Sequence, residues 1–149
     1  MPATCELRAA IRQLRSEGID ARYLVVTDDI ASAAPEDAAK RRGIAGDFTV
    51  FRCASTAAEE GHGLDDVERV TRQANDATRT LGVAFDGCTM PGADRPLFAV
   101  TPGTMDLGMG IHGEPGVASR ALPTAEQLAG ILVDGVLAES RTAQRIESP

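Results

Sequence analysis

The sequence predicts an α/β fold: a short parallel sheet segment joined to an antiparallel β pair, with helices on the flanks. Three observations carry this. Short apolar runs at residues 23–27, 48–51 and 82–85 are separated by stretches with helical spacing, the alternation that marks α/β chains. Two further apolar runs, 97–100 and 104–111, are joined through Pro102-Gly103 and read as paired strands. The length of 149 residues, 43% apolar and 25% charged, suits one globular domain. We read residues 1–149 as that domain, with 1–87 βαβ-like and 88–149 a β-hairpin followed by a helix.

Each element has its own reason. Leu7, Ala10, Ile11 and Leu14 share a helix face and Gly18 stops it. The run at 23–27 suits a strand buried on both faces of a parallel sheet. Asp28 and Asp29 follow it; a turn or helix-capping pair is the preferred reading over functional strand-end carboxylates. Residues 30–42 read as a loop plus a short helix opening at Pro35. The run at 48–51 reads as the second strand. Ser55 starts a helix, with Thr56 and Glu59 at capping-box spacing. After Gly61-His62-Gly63, the residues Leu64, Val67, Val70, Ala74, Ala77 and Leu81 mark a long helix ending at Gly82. Residues 82–85 form a third strand, and 113–123 a loop. Thr124 and Gln127 open a last helix by a second capping-box spacing, and the polar tail from Ser140 frays.

The totals exclude several functions. A net charge of −7 argues against nucleic-acid binding. Lys40-Arg41-Arg42 before Gly43 reads as helix C-terminal charge. No apolar run approaches the ~18 residues of a membrane span, and residues 1–10 show no apolar leader core, so a cytoplasmic protein is expected. Cys5, Cys53 and Cys88 are far apart with no C-x-x-C; no metal site or disulfide is expected, and buried structural thiols are preferred over reactive ones. Tyr23 and the four phenylalanines are too few for a ring-lined sugar or base platform.

The chemistry concentrates in residues 107–116, LGMGIHGEPG. Four glycines and a proline in ten residues make a loop whose backbone a ligand can approach. It carries His112, one of two histidines, beside Glu114. An imidazole there is placed as a nucleophile or general base; the alternative is an ordinary surface or satisfied histidine. Gly108, Gly110 and Gly113 also spell G-x-G-x-x-G, but no helix follows to receive a pyrophosphate, so a nucleotide site is rejected. His62, between two glycines and among acids, reads as an exposed loop residue.

Six strings then carry a resemblance: LVVTDD (24–29), RRGIAG (41–46), AAEEG (57–61), LGVA (81–84), CTMP (88–91) and GMGIHGEPG (108–116). In this order and spacing the chain resembles the substrate-binding subunit of dihydroxyacetone (glycerone) kinases, over residues 8–138. The last string is the most specific. The resemblance implies a partial dihydroxyacetone kinase fold. It implies that His112 adds to the carbonyl of dihydroxyacetone or a similar small ketose as a covalent hemiaminal, with Gly110, Gly113 and Glu114 lining the site. A glycine-rich turn offers backbone N–H groups to the oxyanion, and a carbonyl-specific bond rejects polyols. The resemblance further implies a homodimer. No cofactor is expected on this chain; ATP or ADP with magnesium is expected on a nucleotide-binding kinase subunit or domain.

The family also has a glycine-rich S-G-G-G-S-G-H-E-P motif, an aspartate and a second histidine that serve as acid and base. No G-G-G or S-G-H string occurs in the 149 residues, so a chain carrying that half is an expected partner. General acid–base help is worth about 10²–10⁴-fold. Three readings stay open: a kinase component completed by another chain, a non-catalytic ketone- or aldehyde-binding or regulatory protein, and an inactive truncated remnant. A half-fold of this kind is expected to expose apolar surface that its complement covers.

Overall fold

The computed structural model describes residues 2–110 and 113–146, and side chains from residue 6 to 139 apart from 111 and 112. Helix α1 (Pro2–Ser16) is followed by an extended segment, a 3₁₀ turn (Pro35–Lys40), and helices α2 (Gly46–Glu59) and α3 (Leu64–Ala77). Strands β1 (Val83–Ala84), β2 (Thr104–Leu107) and β3 (Ala118–Ala121) then precede α4 (Ala125–Ile146). The α/β class holds. The chain ends α1 with Gly18 at φ +81°, where Ile19 N–H reaches back to the Leu14 carbonyl at 3.0 Å. The capping box at α4 forms as its spacing predicts: Gln127 N–H donates to Thr124 Oγ1 at 3.2 Å, and Thr124 N–H donates to Gln127 Oε1 at 2.9 Å. Pro35 opens its short helix as expected.

The parallel sheet segment is corrected. The sheet is three-stranded and antiparallel, in the order β1-β2-β3. Residues 23–27 run extended outside any strand, and the parallel contact nearby is an isolated bridge between Asp29 and Thr80. There Thr80 N–H donates to the Asp28 carbonyl at 2.8 Å and Ile30 N–H to the Thr80 carbonyl at 3.1 Å. Residues 48–51 are not a strand but lie inside α2. The reason is a distant cap. Both carboxylate oxygens of Asp28 accept backbone N–H bonds at the head of that helix, from Ile44 at 3.0 Å and Gly46 at 2.8 Å. A four-residue apolar run cannot announce such a cap, because short runs read alike in helix and strand. Thr56 and Glu59 therefore sit in the last turn of α2, not at a new start.

The second β pair is also rearranged. Residues 97–100 form no strand; β2 pairs instead with β1 (Val83 opposite Leu107) and β3 (Thr104 opposite Ala121). Thus β2 is shorter than the 104–111 run, and the supposed loop at 113–123 contains a strand. Helix α3 ends at Ala77, where Asn75 turns inward: it donates to Thr27 Oγ1 at 3.0 Å and accepts Thr27 N–H at 2.9 Å. The extended segment is thereby pinned to α3.

The interior is half polar. Val50, Ala57, Val100, Met105 and Leu107 are buried, and so are Asp28, Asp29, Arg41, Thr71 and Asn75. Arg41 ties the 3₁₀ turn to α4 through a 2.7 Å ion pair with Glu139, and its Nε donates to the Ala33 carbonyl. Of the basic triplet, then, only Lys40 closes a helical turn; the two arginines are interior ties. The accessible surface, 10,214 Å², exceeds the roughly 7,200 Å² of an average folded monomer of this length. Phe48 (73% exposed) and Phe51 (67%) stand out on α2. Cys88 is exposed and Cys53 half-buried, which corrects the expectation of buried thiols; the Cys5 side chain lies outside the described set. Among the described residues no helix is long and apolar enough to cross a membrane.

Candidate functional site

The loop after β2 is built on a collar of backbone hydrogen bonds. Gly108 N–H donates to the Gly82 carbonyl at 2.8 Å, and Val117 N–H donates to the Leu107 carbonyl at 2.8 Å. These two bonds close the neck where the loop leaves β2 and returns to β3. Inside the loop, Gly110 N–H donates to the Glu114 carbonyl at 3.0 Å, and Gly113 N–H to the Gly110 carbonyl at 2.9 Å. Positions 111 and 112 join Gly110 to Gly113, and His112 lies outside the described residues. The three other residues assigned to the site, Gly110, Gly113 and Glu114, are tied to one another by these backbone bonds.

One glycine is required here for reasons the geometry makes plain. Gly113 has φ +83° and lies against Phe98, whose Cβ would stand 2.9 Å from any Cβ placed at 113. At Gly110 the near atoms are the ends of the flexible Glu114 and Arg42 side chains, which can swing aside. One expectation changes as a result. The Gly110 and Gly113 amides are engaged in closing the loop, so neither stands ready to stabilise an oxyanion.

Sequence reasoning missed Arg42. Its guanidinium is held by buried Asp29: Nε donates to Oδ2 at 3.0 Å and Nη2 lies 2.8 Å from the same oxygen. Nη2 also donates to the Gly108 carbonyl at 3.3 Å, and Nη1 is 3.9 Å from Glu114 Oε2. Asp29 is itself fixed, accepting from Ala31 N–H at 3.1 Å and donating its own N–H to the Arg42 carbonyl. Asp28 and Asp29 are thus the turn-and-cap pair that their residue type suggested. The available signal was an acid and an arginine thirteen residues apart, Asp29 and Arg42, which spacing alone does not connect. His62 takes no part. It is exposed in the α2–α3 turn, with Nε2 3.4 Å from Glu60 Oε2. Among the described residues no group of histidine, cysteine and carboxylate side chains is placed to hold a metal ion.

Comparison with known proteins decides the family. The Dak1 domain model matches residues 5–148. The chain belongs to the Dak1 domain family. This Dak1 chain is 68% identical over 130 residues to a D-erythrulose kinase of Mycolicibacterium smegmatis, covering 87% of this chain and 22% of that protein. It is 32% identical over 128 residues to the dihydroxyacetone-binding subunit DhaK of the PEP-dependent dihydroxyacetone kinase of Escherichia coli, covering 86% and 36%. Among solved structures it resembles the dihydroxyacetone kinase of C. freundii, with a TM-score of 0.78 and 36% identity over 88% of this chain and 24% of that one. It also resembles the dihydroxyacetone kinase operon co-activator Dha-DhaQ, with a TM-score of 0.80 and 33% identity over 93% and 42%. The chain therefore spans about a fifth to two-fifths of the length of these relatives. The resemblance drawn from the six strings, and its restriction to a portion of the family subunit, agree with these matches.

Proposed function

We propose that this chain is the ketose-capturing portion of a kinase for short ketoses. His112 Nε2 or Nδ1 adds to the substrate carbonyl carbon; the carbon–nitrogen bond forms as the C=O π bond becomes an alkoxide. The alkoxide gains a proton and the imidazolium loses one, so the hemiaminal retains every substrate atom. Gly110, Gly113 and Glu114 shape the site. What supports this reading is that Gly110, Gly113 and Glu114 are tied to one another by backbone hydrogen bonds, in a chain 68% identical to a D-erythrulose kinase. That relative favours a four-carbon ketose alongside dihydroxyacetone. Phosphoryl transfer to the captured substrate needs ATP or ADP with magnesium on a nucleotide-binding subunit or domain. It also needs acid–base groups from the glycine-rich half, on a partner or adjoining segment. The reading includes a homodimer and a cytoplasmic setting.

The test is native mass spectrometry after incubation with erythrulose or dihydroxyacetone. We expect an adduct equal to the full mass of the ketose, with no loss of water, absent with glycerol and absent in His112→Ala. A wild-type chain that gains no mass refutes the proposal. A second reading, a non-catalytic ketose sensor, is favoured by the likeness to the operon co-activator. Adduct formation without phosphorylated product, when the nucleotide-binding and glycine-rich parts of a relative are supplied, would select it.

A further inference from the structure

We propose that the extended segment 22–26 is a docking edge that takes a β-strand from the glycine-rich half of the family subunit. This rests on the part of the reading above that gives the chain such a complement, and it is independent of ketose capture. The sequence there, RYLVV, is rich in the aromatic and β-branched residues that suit a pleated surface. Its backbone is extended. Yet among the described residues the N–H and C=O groups of Arg22 to Val26 bond to nothing in the chain. Such groups are obligatory hydrogen-bonders, and a row of them in extended geometry is a template for another strand.

The edge is anchored at both ends. Before it, the Arg15 guanidinium donates to the Ala21 carbonyl at 3.0 and 2.7 Å, and the Arg22 side chain reaches Asp65 and Glu68 of α3 at 2.9 and 2.6 Å. After it, Thr27 N–H donates to the Asn75 side chain at 2.9 Å, and the parallel bridge between Asp29 and Thr80 already begins a sheet. An edge ordered in advance costs less to dock against. A groove follows it, lined by residues 23–25 and 27 together with Arg8 of α1, Ala39 of the 3₁₀ turn and Arg72 of α3. Val25 is 44% exposed on the segment itself, and Ile19 just before it is 51% exposed, so a strand laid there would cover apolar side chains as well as backbone.

The size of the open surface points to the subunit's other half rather than to a second copy. The accessible area exceeds that of an average monomer by about 3,000 Å². That is several times the ~800 Å² each partner gives up in a standard interface, and is the scale of a divided core. A net charge of −7 also sets copies of the chain against one another. The chain spans 22% of the D-erythrulose kinase it matches, so that relative has ample further length to supply the strand.

The experiment co-expresses this chain with the part of the M. smegmatis D-erythrulose kinase that precedes its match. Amide hydrogen exchange is then read by mass spectrometry on the complex and on the chain alone. We expect exchange at residues 22–26 to slow roughly tenfold or more in the complex. Leu24→Pro and Val25→Pro each remove an N–H that the chain itself does not use, on opposite edges of the segment. One of the two should weaken the complex roughly tenfold, the loss of about one hydrogen bond, with melting unchanged; Val25→Ala, which keeps the N–H, should weaken it far less. A complex whose 22–26 amides exchange as in the free chain overturns the proposal and leaves the complement reading standing, whereas no complex at all overturns both. Two proline variants that bind as wild type overturn it as well. So does protection that appears in the chain alone and grows with its concentration, which would assign the edge to a second copy. If a proline variant melts early, the wild-type exchange comparison decides by itself.

Discussion

The collar around residues 108–116 and the α2–α3 hairpin are held by different physics. The collar has a buried charge behind it: Asp29 is essentially inaccessible, and its oxygens are filled by Ala31 and Arg42 donors. The hairpin packs small apolar groups such as Val50 and Ala57 inside, and places its charges in water. Arg22, for instance, is part-exposed and binds Asp20, Asp65 and Glu68, of which Asp20 and Asp65 are open to solvent and Glu68 is partly covered. Buried hydrogen-bonded charges are costly to break because a partner is left stranded. Exposed pairs are screened and contribute little. The collar is therefore specified residue by residue, whereas the hairpin tolerates change.

The sharpest way to break this contrast is Asp29→Ala. It strands the Arg42 guanidinium and the Ala31 N–H, and we expect a loss of about 3 kcal/mol, read as a lower urea midpoint. A variant as stable as wild type would show that the collar is not the specified region. Next is Gly113→Ala. The added methyl takes an alanine to φ +83° and against Phe98; strain of this kind costs about 2 kcal/mol, and ketose adduct formation should fall with it. Against these, the double change Phe48→Ser with Phe51→Ser alters two large side chains that project from α2. Thermal melts should show a shift within about 0.5 kcal/mol; a larger loss would mean that the hairpin's outer face is covered in this chain.

The smallest effect is a pH dependence. Asp20 is held below the usual carboxylate range by its hydrogen bond to Arg22, and Glu68 is lowered by Arg72 first and Arg22 second. Arg22 is correspondingly raised, chiefly by Asp20. A carboxylate with a lowered native pKa adds stability above its unfolded value, near 4, and loses it as pH falls through the native value. Arg22→Ala should therefore lose a small increment of stability at neutral pH that wild type loses only in acid, so that the two chains converge and the decline below about pH 4 is flatter in the variant. Urea melts at both pH values check this; an unchanged acid slope would assign no role to the cluster.

Some of the architecture is legible because its causes are local. The capping box of Thr124 and Gln127, the proline that opens the 3₁₀ turn, and the stop at Gly18 each act within a few residues. The glycine pattern of 108–116 is equally local: it records where a side chain cannot go. Residues 48–51 were misread because the group that makes them helical, Asp28, sits about twenty residues earlier in the chain. Residues 118–121, ASRA, carry no strand signal, and become β3 only because β2 offers an edge in register. Arg42 escaped notice because a charge after a short helix has a sufficient local explanation until Asp29 is seen behind it.

By itself the sequence determined the class of the fold, the glycine-rich loop after β2, and membership in a family whose motif order it reproduces. These follow from near-neighbour sterics, hydrogen-bonding capacity and residue identity. Tertiary structure alone decided which strands pair, that the sheet is antiparallel, and that one arginine braces the loop. Those outcomes depend on where distant donors and acceptors meet once water is excluded, and no local pattern encodes that meeting.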